Sequence, residues 1–235
     1  MASTEDTRAG EMVIGGRLRP GPGGLPPERV VEIQRSRMLA AAIQTIDEVG
    51  YAGMTVAEVI GRAKVSRKTF YDVFADREDC FVAVFEQVVE RVRALVCDAA
   101  AAQRGWRGCM RMGLARLLRF MDEERGLARL CVIEALGAGP QVLRSRARVM
   151  DELADAVDRG RGAGGHGGRE PPQVTAEGVV GAVFAVVHSR LTEDEQPVSD
   201  LLGPLMSMIV LPYLGARAAG AELSRPASEL HDSGR

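Results

Sequence analysis

Between Gly61 and Tyr71 the chain carries four cations, Arg62, Lys64, Arg67 and Lys68, and no acid, with Ser66, Thr69 and Tyr71 interleaved among them. Such cations neutralise phosphate, short hydroxyls donate to phosphate oxygens, and arginine pairs bidentately with guanine. A DNA duplex presents a dense line of phosphates, so this local run decides more than the formal net charge of −2 over the whole chain. Nothing comparable points to catalysis. Paired carboxylates, a nucleophile elbow, a metal cluster and a phosphate loop are all missing from the pattern, and Asp122, Glu123 and Glu124 read as a solvated helix end. The sequence therefore predicts no enzyme, no catalytic residue, no metal site and no cofactor.

Two short helical patterns must hold the cations in place. Val56 to Ala63 has Val56, Val59, Ile60 and Ala63 at three- and four-residue steps. Its start signal is Thr55 with Glu58, a capping box in which each side chain meets the other's backbone amide. Lys64 and Val65 make a turn, Val65 plugs the angle between the helices, and Ser66 caps a second helix over Arg67 to Phe74. In that helix Phe70, Val73 and Phe74 share the buried face, which leaves the cations and hydroxyls outside. This is the grammar of a helix-turn-helix. A longer helix from Pro26 and Pro27 to Val49 closes over the pair with Met38, Leu39, Ala42, Ile43, Ile46 and Val49, and Gly50 suits a left-handed cap at its end.

The run from Met54 to Phe85, with VSRKTFYDVFADREDCF at its core, resembles the DNA-binding domain of the TetR family of bacterial transcriptional regulators. The resemblance implies an all-α fold: a three-helix DNA-binding domain over 26–75, then a helical effector-binding and dimerisation domain over 76–220, with about nine helices in all. It implies a ligand-responsive regulator, a repressor, that binds a palindromic operator in double-stranded DNA as a homodimer and is released by a small apolar effector. It also assigns Thr55 and Tyr71 to phosphate and Arg67, Lys68 and Thr69 to base edges, with Lys64 and Ser66 as further backbone contacts. Tyr71 alternatively finishes a small core. The competing reading is a helix-turn-helix protein without a small-molecule switch, controlled by a partner or acting architecturally.

The remainder of the chain reads as helices. Asp76 caps a long one, to Val96, that acts as a lever between the domains, and further amphipathic stretches follow from Trp106. Inward faces offer Met110, Leu114, Leu117, Phe120 and Phe184 as walls of an apolar pocket, with Trp106, Glu134 and His188 as polar handles; the same residues also fit a solid core. Helices around Val174 to Leu191 and Ser199 to Ala219 are apolar on too many sides for a monomer. Their residues Gly178, Gly181, Ala182, Ala185, Leu205, Met206, Ile209 and Val210 are expected to pair with a second copy. Cys80, Cys97, Cys109 and Cys131 fall in helices without CxxC spacing and read as small buried residues, a redox sensor being the alternative.

Residues 1–25 form a flexible arm, either solvated or reaching a minor groove through Arg17 and Arg19, and 221–235 form a flexible tail. Gly162 to Gly167 matches GxGxxG without the flanking strand and helix that a nucleotide site needs, and His166 reads as a loop residue. Leu201 to Ala216, broken by Pro204 and Pro212, falls short of the roughly 20 residues a membrane span requires. No membrane is expected, and the protein is placed in the cytoplasm.

Overall fold

The computed structural model describes residues 26–163, 171–193 and 196–225. The arm with Arg17 and Arg19, His166 with its glycines, and the tail from residue 226 lie outside those residues. Among the described residues the chain forms α-helices and short 3₁₀ turns and no strand. The helices are α1 (Pro27–Gly53), α2 (Val56–Ala63), α3 (Arg67–Tyr71), α4 (Arg77–Ala101), α5 (Trp106–Glu123), α6 (Arg125–Val132), α7 (Pro140–Asp158), α8 (Thr175–Glu193) and α9 (Leu202–Leu223).

Helix α1 opens on proline, whose missing amide proton costs nothing in a first turn. It kinks at Gly50, where φ is +70° and ψ 173°, and one more turn carries Tyr51 into the core before the chain extends at Met54. Only glycine adopts that backbone cheaply. The expected stripe is buried at Met38, Leu39, Ala42 and Ile46, but Val49 is 49% exposed because the kink turns the chain just after it. Met38, Leu39, Ala42, Val59, Phe70 and Phe74 close the three-helix domain, and the cluster runs on without a break into Phe81 and Val84 of α4, Phe120 of α5, Leu130 of α6 and Val142 of α7. The boundary read at residue 75 therefore divides the sequence but not the packing.

Side chains stitch the same seam. Asp76 accepts from the Asp79 amide and caps α4. Glu78, in the first turn of α4, accepts from the Gln141 amide at 2.7 Å and so caps α7, whose preceding Gly139 has φ +114° and no room for a Cβ beside the Glu78 carboxylate. Arg77 donates to the Met54 carbonyl at 3.1 Å and lies over the Tyr51 ring at 4.7 Å. Helix α4, the expected lever, is held at its first turn by both halves of the molecule.

A second core gathers Leu114, Leu118 and Met121 of α5, Val157 of α7, Val180 and Val187 of α8, and Leu205, Met206, Ile209 and Val210 of α9. The segment Val198–Leu223 is long and apolar enough by composition to cross a membrane, longer than the stretch counted from the sequence. Its apolar face packs on α5 and α8, as a core helix does. Helix α9 also runs past residue 220, and Glu222 in its last turn is fully buried, so the helical domain includes residues read as tail.

The cysteines divide by environment. Burial pushes the Cys80 and Cys131 thiols up to about 12, whereas Cys97 stands exposed on α4, against the expectation that all four are buried. Since the thiolate is the nucleophile, Cys97 should alkylate at neutral pH and Cys80 and Cys131 only on unfolding, as peptide mass mapping after iodoacetamide will report. Both raised thiols favour the protonated folded state. Their contribution is thus complete below the unfolded value near 9 and is lost as pH climbs toward 12.

Candidate nucleic-acid interface

The hairpin of α2 and α3 is built by local chemistry. Thr55 Oγ1 accepts from the Glu58 amide at 3.2 Å while the Glu58 carboxylate accepts from the Thr55 amide at 3.0 Å and from its hydroxyl at 2.9 Å. Both groups of the capping box are present, and losing such a cap costs about 1 kcal/mol. The Thr55 hydroxyl spends its proton on Glu58 in this state. It meets phosphate only by releasing that bond.

At the turn Lys64 takes a left-handed conformation, φ 53° and ψ 45°, unusual for a residue with a Cβ, and the amides of Lys64 and Val65 both reach back to the Ile60 carbonyl. The reversal directs the Lys64 side chain outward, where it is exposed, while Val65 packs against the N-terminal core as expected. Ser66 Oγ accepts from the Thr69 amide at 3.0 Å and shares a 2.8 Å hydrogen bond with the Thr69 hydroxyl. Helix α3 ends at Tyr71, earlier than the sequence pattern suggests, because Asp72 and Val73 turn back onto Lys68 and Phe70 and bring Phe74 under the domain. Phe70 is fully buried; Arg67, Lys68 and Tyr71 are exposed. Tyr71 lies edge-on to Phe70 with ring centroids 5.4 Å apart and remains 49% exposed, so its phenol is on the surface.

The charges are less uniform than the sequence implies. Arg62 makes a two-pronged pair with Glu48 of α1, at 2.8 and 2.5 Å, and the bond from Arg62 holds the Glu48 carboxyl below the usual carboxylate range. It is thereby neutralised and drops out of the cationic run. Lys68 reaches Asp72 at 2.9 Å, but the lysine side chain is 83% exposed, and a pair in water is worth only about 0–1 kcal/mol. Phosphate can compete for it. Lys64 and Arg67 pair with no carboxylate among the described residues. Glu48 is invisible to a reading confined to the motif, since its partner lies 14 positions away; Arg35 of α1 is exposed and stacks over Phe74 at 5.9 Å.

The residues proposed for an effector do not form one wall. Phe120 belongs to the N-terminal core, with Arg91 over its ring, whereas Leu114, Trp106, Met110, Leu117 and Phe184 lie in or against the second core. Glu134 is corrected outright: it faces the N-terminal three-helix unit and accepts from the Tyr51 amide at 2.9 Å beside the Gly50 kink. Trp106 is structural as well. Its indole donates to the Ala156 carbonyl at 3.0 Å, its ring meets Tyr213 at 5.4 Å, and a Cβ on Gly160 would come within 2.5 Å of it. Phe184 and His188 remain, one turn apart on α8 and half-buried.

The expected dimer face divides too. Leu205, Met206, Ile209 and Val210 are buried inside the subunit, which removes them from an interface. Gly178, Gly181 and Ala185 are exposed with Ala182 half-buried, and nothing lies within 4 Å of a Cβ built on either glycine. On α9 the outward large apolar residues are Leu211, 49% exposed, and Leu223, 60% exposed in the last turn.

Residues 38–84 match the family model of bacterial regulatory proteins, tetR family. The chain is 39% identical over 71 residues to the HTH-type transcriptional regulator CymR of Pseudomonas putida, covering 28% of this chain and 34% of that protein. It is 29% identical over 72 residues to the HTH-type transcriptional regulator BetI of Stenotrophomonas maltophilia, covering 31% of this chain and 37% of that protein. The match thus spans about a third of the length of these curated relatives. Over a greater length the fold is similar to that of the fatty acid degradation regulator FadR from Bacillus halodurans: the TM-score is 0.65 at 17% identity, over 75% of this chain and 94% of that one.

Proposed function

We propose that the chain, whose residues 38–84 match the family model of bacterial regulatory proteins, tetR family, is a cytoplasmic transcriptional repressor of that kind that binds a near-palindromic operator as a homodimer and is released by a small effector. The observation that carries the reading is Arg67, exposed and without a carboxylate partner among the described residues at the first turn of a capped helix, with Lys64, Lys68, Thr69 and Tyr71 beside it. Arg67, Lys68 and Thr69 read base edges in the major groove; Lys64, Ser66, Tyr71 and, once its cap opens, Thr55 hold phosphate. Two copies join through the open glycine face of α8 and Leu211 of α9. Their recognition helices then enter successive major grooves, roughly 34–36 Å apart.

Selecting bound sites from random DNA, followed by anisotropy titrations, tests this. A two-fold-related consensus is expected. Arg67→Ala should lose about 1–3 kcal/mol of discrimination at one base position per half-site, and Lys64→Ala should weaken all sequences alike and lower the salt slope by about one unit. A Cβ on Gly181 meets nothing within 4 Å and the residue is exposed, so Gly181→Glu should fold, sediment as a monomer and bind the operator poorly. Uniform coating of DNA, with no selected sequence, would remove the operator reading and leave an architectural one.

A further inference from the structure

Arg146 on α7 stands apart from the other cations of the effector domain. Its Nε is the one buried side-chain nitrogen or oxygen without a hydrogen-bond partner among the described residues. The guanidinium lies over the Phe184 ring of α8, 5.5 Å from the centroid, and pairs with no carboxylate among those residues. Its neighbours behave differently. Arg148 reaches Glu86 of α4 together with Ser145, and Arg144 is exposed.

The position is not accidental surface. Val142, Arg146, Val149, Leu153 and Val157 follow one another at three- and four-residue steps, so the cation occupies a place on the inward stripe of α7. A shielded donor gives up its bonds to water and is retained only where something supplies an acceptor or where its loss is tolerated. Met150, one turn along α7, and Phe184 beneath the guanidinium are partly buried apolar side chains packed on the second core, as are Leu153 and Val183. Methionine adapts its shape to what it meets. An arginine stacked on an aromatic ring, missing an acceptor and bordered by adaptable apolar groups, has the makings of a receptor for an acid attached to a greasy body.

We propose that the seam between α7 and α8 is where the effector binds, with Arg146 taking the acidic head of an otherwise apolar small molecule and Phe184 and Met150 taking its body. The inference rests on the ligand-released reading above and makes it more specific: the effector is an organic anion. His188, one turn beyond Phe184, lies on the same side of α8.

The test compares probes that share a chain and differ in head group: decanoate, decanol and decyltrimethylammonium, titrated into the full-length protein by calorimetry and into its operator complex by anisotropy. Decanoate should bind roughly tenfold to a hundredfold more tightly than decanol, the range expected for a hydrogen bond to a charged group, and should release operator. Arg146→Met keeps the apolar stem and removes the unsatisfied donor, so it should fold, hold operator as before and lose the preference for decanoate; Arg146→Lys should recover part of it. Equal affinity for decanoate and decanol, or an unchanged preference in Arg146→Met, overturns the proposal while leaving an operator-binding, ligand-released regulator in place. Binding of none of the three overturns it as well. A monomeric Arg146→Met protein would mean that the cation meets an acid of the partner subunit, which also overturns it.

Discussion

Glu222→Ala is expected to lower the unfolding free energy by about 3–5 kcal/mol, the cost of breaking a buried ion pair by removing one partner. Glu222 is completely buried in the last turn of α9, where Arg107 Nε donates to one carboxylate oxygen at 2.6 Å and Arg111 Nη1 to the other at 2.5 Å. The Arg111 side chain is 6% exposed, so its charge has little recourse to water once the carboxylate is gone. Arg107, at 38%, can turn outward. The asymmetry predicts which second change rescues the first. Arg111→Met in the Glu222→Ala background should restore much of the loss, whereas Arg107→Met should restore little, because an apolar replacement of a buried pair is often neutral or stabilising. Urea unfolding with an unchanged m-value is the measurement. A cost below about 1 kcal/mol for Glu222→Ala would show that the clasp is not anchoring α9 to α5.

Glu222 also shows why some of this molecule was legible in its sequence and some was not. The capping box at Thr55 and Glu58 and the Ser66 cap depend on backbone within a few residues, and each is written in residue type and spacing alone; at Gly50 the sequence suggests a left-handed cap that ends the helix, whereas with ψ 173° the residue kinks it and one more turn follows. Phe70 and Phe74 were readable as core because the faces of a helix are set by its period. An acid near the end of an alanine- and glycine-rich stretch reads as surface, and only arginines 111 and 115 positions away make it core. Separation along the chain, 14 and 83 positions, likewise hides the pairing of Arg62 with Glu48 and of Glu134 with the Tyr51 amide.

Helix α9 failed for another reason. An all-apolar helix must be covered on every side, but composition does not say by what. The sequence assigned Leu205 to Val210 to a second copy, and the subunit's own α5 and α8 cover them instead. On α8 the small residues do leave an open face, with Gly178, Gly181 and Ala185 exposed. Arg146 was legible and passed over: helical spacing puts it between Val142 and Val149 on the inward side, where a cation requires an explanation.

Phe70→Ala should cost about 3–5 kcal/mol and remove operator binding altogether. The ring is fully inaccessible and touches Phe74 and Tyr71, each with centroids 5.4 Å away. Helix α3 has five residues, far below the roughly 12–15 at which an isolated helix is even marginal in water, so its shape depends on this one anchor and on the Ser66 cap. Without the anchor, Arg67, Lys68 and Thr69 have no fixed spacing to offer a groove. Because the core around Phe70 continues into α4 and α7, part of the loss should spread, and amide exchange should quicken at Val84 as well as at α3. Tyr71→Phe is the control: 49% exposed, it should change stability by no more than about 0.5 kcal/mol while weakening operator binding through a lost phosphate contact. If Tyr71→Phe bound operator like the parent and Phe70→Ala bound it nearly as well, the exposed edge of α3 would not be the reading head, whatever the domain's stability.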